Sequence, residues 1–332
     1  MGVAKIRKQS GRRRTILVLL VCIMFIYLNN SSFWVRTMPK RPFLVAHRGV
    51  HQTFPLAGIQ WDTNTAARIY EPEHGYLENT LPSIAAAFSA GADLVEFDLQ
   101  LTKDGKFAVI HDHRLDYRTN GQGGVGDYTM AELKKLDIGY GYTADGGRTF
   151  PLRGTGVGLM PSLDEVLTAF PGRSFLIHLK SNQPQLGPLL VEYLRTLPPE
   201  QLNLLTFYGS DEPLDAIKRA FPHLRVMSKR TIIRAVLSYL MVGWTGYVPP
   251  AMQNTHLHLP FRYARWLWGW PHRFLQRMEK VNTRIILVLG DGRWSEGFDT
   301  ETDLALLPPN YSGGIWTNRI ERIGPLVKGE GQ

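Results

Sequence analysis

Eight short apolar runs, separated by stretches of helical character, limit how this chain of 332 residues can fold. The runs are rich in Val, Ile, Leu and Phe, and several are apolar almost throughout, which is typical of parallel strands that are buried on both faces. The predicted strands are Phe43–Ala46, Leu94–Leu99, Phe107–Ile110, Ser174–Leu179, Leu202–Phe207, Leu224–Met227, Arg284–Leu289 and Gly314–Trp316. Because strands and helices alternate over residues 43–325, the pattern predicts an α/β fold of the (β/α)8 TIM-barrel type.

Helices are predicted between these strands from their periodicity and from their end signals. The predicted helices are Asn79–Ala90, Tyr128–Leu136, Ser162–Phe170, Pro188–Leu197 and Glu212–Phe221. Gly91 suits the position after a helix end, and Ser162 suits an N-cap. Residues 50–77 lack such a pattern and predict a long loop, which is either a lid over a functional site or a packed insertion.

The amino-terminal segment predicts a membrane anchor. Thr15–Leu28 has no charged residue, the uncharged run extends to Val35, and six Lys or Arg precede it. This length just spans a bilayer, and the preceding charges place the amino terminus in the cytoplasm. A cleaved signal peptide is the alternative, and both interpretations export the main domain. The predicted segments are a cytoplasmic basic tail over residues 1–14, a transmembrane signal-anchor over 15–35, a linker over 36–42, a TIM-barrel domain over 43–325 and a tail over 326–332.

Charge and cysteine content exclude several classes of function. Nine of the 38 Lys and Arg lie in residues 1–41, which contain no acid, and the other 29 equal the number of Asp and Glu. The main domain is therefore not globally basic, which argues against a nucleic-acid partner. Cys22 is the single cysteine, so the chain has neither a disulfide framework nor a CxxC zinc site. The near absence of cysteine favours a bacterial periplasm over the lumen of the endoplasmic reticulum.

Polar residues stand at the ends of several predicted strands, where the active sites of barrels lie. Glu96 and Asp98 are two apart, so they share one strand face and offer oxygen ligands to a hard divalent cation. His47 and His111 are a candidate acid/base pair. No catalytic role is expected for His113, which is predicted to contact Asp112 or solvent. The remaining candidates, Arg48, His178 and Lys180, also follow strands, and Arg48 and Lys180 suit a phosphate.

The order of these motifs resembles that of the glycerophosphodiester phosphodiesterase family. The motifs are His47-Arg48-Gly49, then Glu78-Asn79-Thr80, then Glu96-x-Asp98, and then His111-Asp112. The resemblance implies a (β/α)8 barrel that uses one divalent metal ion, Mg²⁺, Ca²⁺ or Mn²⁺, to hydrolyse glycerophosphodiesters to glycerol 3-phosphate and an alcohol. It implies catalytic roles for His47 and His111, and substrate contacts by Arg48, Lys180 and Glu78. The implied metal ligands are Glu96, Asp98, His111 and His178.

Two positions depart from the pattern of that family. His178 stands where the third carboxylate ligand is usual, and Asn318 stands where an Asp is common. A neutral nitrogen in place of a charged oxygen weakens binding of Mg²⁺ or Ca²⁺ and relatively favours Mn²⁺ or Zn²⁺. A contact of His178 with the substrate, without any metal, is the alternative.

Residues 230–280 combine aromatic and basic side chains. Four of the eight tryptophans fall in Trp244–Trp270, and four arginines lie among them or follow closely, namely Arg262, Arg265, Arg273 and Arg277. This composition suits a membrane interface. A pair of barrel-covering helices with aromatic cores explains the same residues through stacking of Arg on Trp.

The expected partners are a small-molecule or lipid-derived phosphodiester and the membrane, with the oligomeric state open. Two other functions compete with hydrolysis of soluble glycerophosphodiesters. One is phospholipase C-like or D-like action on an intact lipid, and the other is a non-catalytic barrel that binds a phosphodiester.

Overall fold

Eight parallel strands surround the centre of the protein, and helices cover them from outside. The computed structural model describes residues 2–35, 41–180, 183–292 and 296–329. The strands are β1 Phe43–Ala46, β2 Leu94–Leu101, β3 Phe107–Val109, β4 Ser174–Leu179, β5 Leu205–Gly209, β6 Val226–Ser228, β7 His256–Pro260, β8 Arg284–Val288 and β9 Gly314–Thr317. The α-helices are α1 Gly2–Asn30, α2 Leu81–Ala90, α3 Met130–Leu133, α4 Leu163–Ala169, α5 Leu186–Arg195, α6 Pro199–Leu202, α7 Asp211–Ala220, α8 Lys229–Val242, α9 Phe261–Ala264, α10 His272–Lys280, α11 Glu301–Leu304 and α12 Ile320–Gly329.

The strand order confirms the predicted TIM barrel. Around the sheet it is β6-β5-β4-β2-β1-β9-β8-β7, and every pairing along this path is parallel. β6 and β7 stand at the two ends of this order, and Thr255, just before β7, donates its hydroxyl to the carbonyl of Val226 in β6 at 2.6 Å. The ring is therefore nearly closed, and the carboxyl ends of its strands meet on one face.

One predicted strand lies outside the barrel, and one barrel strand was not predicted. Phe107–Ile110 is not a barrel strand, because β3 pairs antiparallel with β2 and lies off the barrel path. The eighth barrel strand is instead His256–Pro260, which the sequence analysis missed. Its sequence HLHLP alternates polar and apolar residues, so it lacks the continuous apolar run that marked the other strands.

Strand β2 explains how two acids come to lie inside an apolar sheet. All eight of its residues are buried. Val95 and Phe97 belong to the large cluster between sheet and helices, whereas Leu94 belongs to a second cluster inside the barrel. Because side chains alternate along a strand, Glu96 and Asp98 share the inward face with Leu94.

The ends of the chain differ from the predicted segments. Helix α1 runs from Gly2 to Asn30, so residues 2–14 of the predicted basic tail are helical and the predicted span 15–35 ends five residues early. Arg12–Asn30 is long and apolar enough to be a membrane span or a signal sequence. Of the predicted linker, residues 36–40 lie outside the described part. Helix α12 crosses the predicted boundary at 326, since it continues to Gly329 and buries Val327.

Candidate active site

A tight turn after β1 points two site residues into the barrel mouth. Arg48 and Gly49 both have positive φ, at 55° and 77°. Ser83 in α2 donates its hydroxyl to the carbonyl of Arg48 at 3.0 Å. A Cβ on Gly49 would lie 2.9 Å from the backbone carbon and oxygen of Ser83, so only glycine fits there. The turn that carries His47 and Arg48 thus packs directly against α2.

Arg48 lies among buried carboxylates. Its Nη1 donates to Glu78 Oε1 at 3.1 Å, its Nε lies 3.4 Å from Asp98 Oδ2, and its backbone N–H donates to Glu96 Oε2 at 3.0 Å. Burial opposes the charge of Arg48, but Glu78 and Asp98 outweigh burial and raise the pKa of the guanidinium. Glu78 also accepts from Arg118 at 3.1 Å. Glu78 therefore fixes the position of Arg48 from the adjacent loop.

The predicted ligands Glu96, Asp98 and His178 come together, with one donor atom of each within 4.8 Å of the others. His178 Nδ1 donates to Asp98 Oδ1 at 2.9 Å and lies 3.9 Å from Glu96 Oε1. The His178 ring stacks on Tyr208, with centroids 4.1 Å apart, and the Tyr208 hydroxyl donates to Glu96 Oε1 at 2.6 Å.

The charge of this group supports a cation site. Burial, together with the neighbouring Asp98, raises the pKa of Glu96 to about 8. Burial also opposes the charge of Asp98, but His111, then Arg48 and the hydrogen bond from His178, hold its pKa well below the usual value. The single positive charge of the Arg48 guanidinium thus does not offset the two negative charges that Glu96 and Asp98 carry when both are ionised. Two buried carboxylates and an imidazole are a donor set that fits a divalent metal ion.

His111 is held by a different pair of groups. Its Nδ1 hydrogen-bonds to Asp112 Oδ1 at 2.6 Å, and Lys180 Nζ donates to its Nε2 at 2.9 Å. Arg118 binds the other oxygen of Asp112. Burial, and then the charges of Arg48 and Lys180, hold the pKa of His111 well below its ordinary value. Among the described residues, His111 is not part of the three-residue group, and His113 contacts Gln100 instead of the site.

His47 faces the other side of the cavity. Its Nδ1 lies 2.6 Å from Asn318 Oδ1, and its Nε2 accepts from Arg48 Nε at 3.1 Å. The Asn318 Nδ2 donates to Asp299 Oδ2 at 3.0 Å, which orients the amide so that its oxygen faces His47. Burial, and then the charge of Arg48, hold the pKa of His47 well below its usual value. The hydrogen-bond network thus assigns His47 as neutral, with the proton on Nδ1 and a lone pair on Nε2.

One cavity of about 690 Å³ joins these groups. Its polar wall contains five predicted site residues, His47, Arg48, His111, His178 and Lys180. The long loop after β1 supplies an apolar wall, formed by Phe54, Leu56, Ile59, Trp61 and Tyr70. Such a size and mixture of surfaces are typical of small-molecule sites.

Sequence reasoning missed three residues that hold the site together. Tyr208 is the penultimate residue of β5 and binds Glu96, while Arg118 joins Glu78 to Asp112. Asp299 orients Asn318. Tyr208 is adjacent to a strand end and could have been found that way, whereas Arg118 and Asp299 lie in loops without any local signal.

Comparisons with known proteins confirm the family resemblance. The model of the glycerophosphoryl diester phosphodiesterase family matches residues 47–197. A glycerophosphodiester phosphodiesterase of Bacillus subtilis is 37% identical over 159 residues, which cover 47% of this chain and 45% of that protein. One from Caldanaerobacter subterraneus is 32% identical over 156 residues, covering 45% of this chain and 59% of the relative. The aligned part therefore spans about half the length of these relatives.

Solved structures show the same fold. A glycerophosphoryl diester phosphodiesterase domain from Mycobacterium tuberculosis aligns with a TM-score of 0.60 at 18% identity, covering 86% of this chain and 99% of that one. A phosphodiesterase from Oleispira antarctica, solved in complex with its product sn-glycerol-3-phosphate, aligns with a TM-score of 0.56 at 18% identity and covers 87% and 97% of the two chains. Both likenesses extend beyond residue 197 and support one barrel over the whole domain.

Proposed function

We propose that the protein is a metal-dependent hydrolase of glycerophosphodiesters, because residues 47–197 match the model of the glycerophosphoryl diester phosphodiesterase family. The products are glycerol 3-phosphate and an alcohol. The observation that carries the proposal is one cavity lined by His178 and by two histidines of lowered pKa, His47 and His111, with the buried carboxylates of Glu96 and Asp98 grouped against His178. A fold alone does not define a reaction, so the proposal depends on these side chains.

Glu96, Asp98 and His178 are the residues that would hold the divalent cation. When bound, such a cation supplies positive charge to the phosphoryl oxygens, where negative charge grows during the reaction. Lys180 extends this positive charge across the cavity from beside His111. Arg48 also lines the cavity, and Glu78 holds its guanidinium in place.

His47 and His111 are proposed to move the two protons of the reaction. The attacking hydroxyl, of water or of the neighbouring position on the substrate, must lose a proton, and the leaving alkoxide must gain one. The lone pair of His47 Nε2 suits a proton acceptor. His111 Nε2 lies 2.9 Å from the ammonium of Lys180, whose pKa is lowered by burial, so a proton is available there for the leaving group. After release of the alcohol, His47 returns its proton to solvent and the His111–Lys180 pair regains one from solvent, which restores both groups for the next turnover.

We place this activity outside the cytoplasm, on the periplasmic side of a bacterial inner membrane. Helix α1 supports this because Arg12–Asn30 is a candidate span and the six basic residues at its start favour the cytoplasm. The domain that follows Asn30 is then exported, with α1 as its anchor.

The decisive experiment measures release of glycerol 3-phosphate by the full chain in detergent. The protein is stripped of metal, and Mg²⁺, Ca²⁺, Mn²⁺ and Zn²⁺ are added back one at a time. His47→Ala and His111→Ala are each expected to lower turnover by about 10²–10⁴-fold, as for loss of a general acid or base. His113→Ala is the matched control and is expected to keep its activity, because His113 is exposed, contacts Gln100 and does not line the cavity that contains His47 and Arg48. Equal rates in all three variants would refute the mechanism, and no release with any metal would favour a binding barrel.

The apolar wall of the cavity favours a second candidate function. Phe54, Leu56 and Ile59 face the same space as the catalytic candidates, and a glycerol headgroup has no apolar part to contact them. A lipid phosphodiester with an acyl chain would fill that wall. Faster release of headgroup phosphate or alcohol from lipid vesicles than from soluble diesters would support this function over the first.

A further inference from the structure

One side of helix α8 is apolar and faces outward from the barrel. Its exposed apolar residues are spaced four, three, one and three positions apart, so they lie on one side of the helix. These residues, with Trp244 just beyond the helix end, are Ile233, Leu237, Leu240, Met241 and Trp244. Met241 is 76% exposed and Leu237 57%, whereas Ala235 and Tyr239, on the opposite side, are buried. We call this surface the α8 face.

Exposed aromatic residues continue the α8 face on the neighbouring segment. Tyr263 and Trp266 are exposed, and the guanidinium groups of Arg262 and Arg265 lie over their rings. The segment is joined to α8, because Trp268 donates its indole N–H to the carbonyl of Leu240 at 2.9 Å. Tryptophan, tyrosine and arginine together are typical of the boundary between lipid headgroups and acyl chains.

The candidate membrane helix ends at this same surface. Asn29 and Asn30 donate their side-chain amides to the carbonyl of Trp244, at 3.1 and 2.8 Å. The buried Arg277 donates to Asn30 Oδ1 at 3.0 Å and to the carbonyl of Asn29 at 2.9 Å. Arg277 also donates to the carbonyl of Gly243, which immediately precedes Trp244. The end of α1 is thus fixed to the end of the α8 face by side chains on both partners.

We propose that the α8 face lies on the lipid bilayer into which α1 inserts. The 19 residues Arg12–Asn30 span about 28 Å as a helix, which matches the apolar thickness of a bilayer. Their last residues bind Trp244, so the α8 face begins where the helix leaves the lipid. An apolar stripe exposed on a single domain indicates an interaction site, and the site adjoining an anchor is the bilayer itself. This inference depends on insertion of α1 and is independent of any catalytic activity.

A fluorescence-quenching experiment on the full chain tests this docking. In a Cys22→Ser background, an environment-sensitive label is attached at Met241→Cys or, as a matched control, at Lys135→Cys, which is exposed outside the α8 face. The protein is reconstituted into nanodiscs that contain phospholipids with a nitroxide on the upper acyl chain. We expect the label at Met241→Cys to lose at least twice as much fluorescence as the control label, with a shift of its emission to the blue.

A second arm perturbs the face itself. The label is attached at Trp266→Cys. The same labelled protein is then prepared with two further substitutions on the α8 face, Leu237→Glu and Met241→Glu. Two carboxylates on the apolar stripe are costly in lipid, so quenching of this label should fall toward the control value. Lys135→Glu is the control substitution and should leave the quenching unchanged.

Three results would overturn the proposal. The first is equal quenching at Met241→Cys and Lys135→Cys in nanodiscs. The second is a blue shift at Met241→Cys that depends on protein concentration in detergent without phospholipid, because a second copy of the chain then covers the face. The third is failure of the full chain to float with vesicles, because α1 then does not insert. Each readout is separate from phosphodiesterase activity, so a failed assay of hydrolysis leaves the outcome of this test intact.

Discussion

The Nδ1 atom of His47 is linked to the carboxylate of Asp299 through the amide of Asn318. The Asn318 side-chain oxygen accepts a hydrogen bond from His47 Nδ1, and its NH2 group donates a hydrogen bond to Asp299. Both polar atoms of the amide therefore have partners. An Asp at position 318, which the family resemblance predicts, would here meet Asp299 at hydrogen-bond distance. The asparagine is therefore explained by its neighbour, because two carboxylates in contact disfavour each other's ionisation.

An exchange of these two residues tests that explanation. Asn318→Asp alone should lower both thermal stability and activity, because it brings together two carboxylates. Asn318→Asp combined with Asp299→Asn should recover stability, since an amide again donates between the two positions. A carboxylate then faces His47 Nδ1 and favours the imidazolium, so the limb of the pH profile of kcat/KM that reports His47 should move to higher pH. Equal stability of the single and double variants would contradict this account.

Glu96 makes the metal-free protein sensitive to pH. Its pKa is raised from 4.5 to about 8 in the folded state, so ionisation above pH 4.5 favours the unfolded chain. The melting temperature of the chelated protein should therefore fall as pH rises from 4.5 to about 8 and then level off. Glu96→Gln should flatten this decline, and addition of Mn²⁺ should remove it because the cation stabilises the carboxylate. A decline that persists unchanged in Glu96→Gln would assign it to another group.

At the scale of elements, the site depends on how β1 turns onto α2 and on the register of β2. Parallel pairing sets Asp98 of β2 opposite His178 of β4, and His178 opposite Tyr208 of β5. Three adjacent strands thus deliver the cation ligands and the tyrosine that supports them. A shift of one residue in β2 would turn both acids toward the helices.

The turn after β1 offers a matched pair of glycine substitutions. Gly49→Ala should abolish most activity and cost several kcal/mol, because its Cβ meets the backbone of Ser83 and displaces Arg48. Gly58→Ala has a similar positive φ of 70° but nothing within 4 Å of its Cβ. It should cost only about 1–2 kcal/mol, the strain of a left-handed conformation. Chemical denaturation and the turnover assay measure both effects, and similar losses in the two variants would disprove the role of Ser83.

For the whole molecule, helix α1 is also bound to the folded domain. Arg277 is buried and binds Asn29 and Asn30 of α1 together with the carbonyl of Gly243 and the hydroxyl of Tyr239. A guanidinium that loses two acceptors must find water or remain unsatisfied. The domain is therefore expected to lose stability when α1 is removed, even though the catalytic cavity is built from other residues.

Deletion of residues 1–40 tests this coupling. The shortened protein should be less stable by about 1–3 kcal/mol, the cost of leaving a buried polar group without partners. It should retain turnover on soluble diesters, because the cavity residues are intact. In an Arg277→Met background the same deletion should cost clearly less, and the difference between the two backgrounds is the coupling energy. Equal costs in both backgrounds would show that Arg277 does not connect the anchor to the domain.

Local sequence determined the barrel class and most of its parts. Apolar runs and end signals located seven of the eight barrel strands, because burial on both faces leaves its mark within a few residues. Local sequence did not reveal the strand His256–Pro260, because inward-facing histidines replace apolar residues there. It also did not show that Phe107–Ile110 lies outside the barrel, because an antiparallel hairpin strand has the same apolar run. The candidate site residues were named from motif order and strand position, without any knowledge of their distances.

Only the tertiary structure decided how those residues are paired. Asp98 binds His178 across 80 positions, Glu96 binds Tyr208 across 112, and His47 binds Asn318 across 271. Such contacts are set by strand order and register, which depend on the packing of the entire barrel. The sequence around a residue determines whether that residue lies at the end of a strand. Its hydrogen-bond partner in the site depends on closure of the sheet, because closure brings strands that are distant in sequence to a common face.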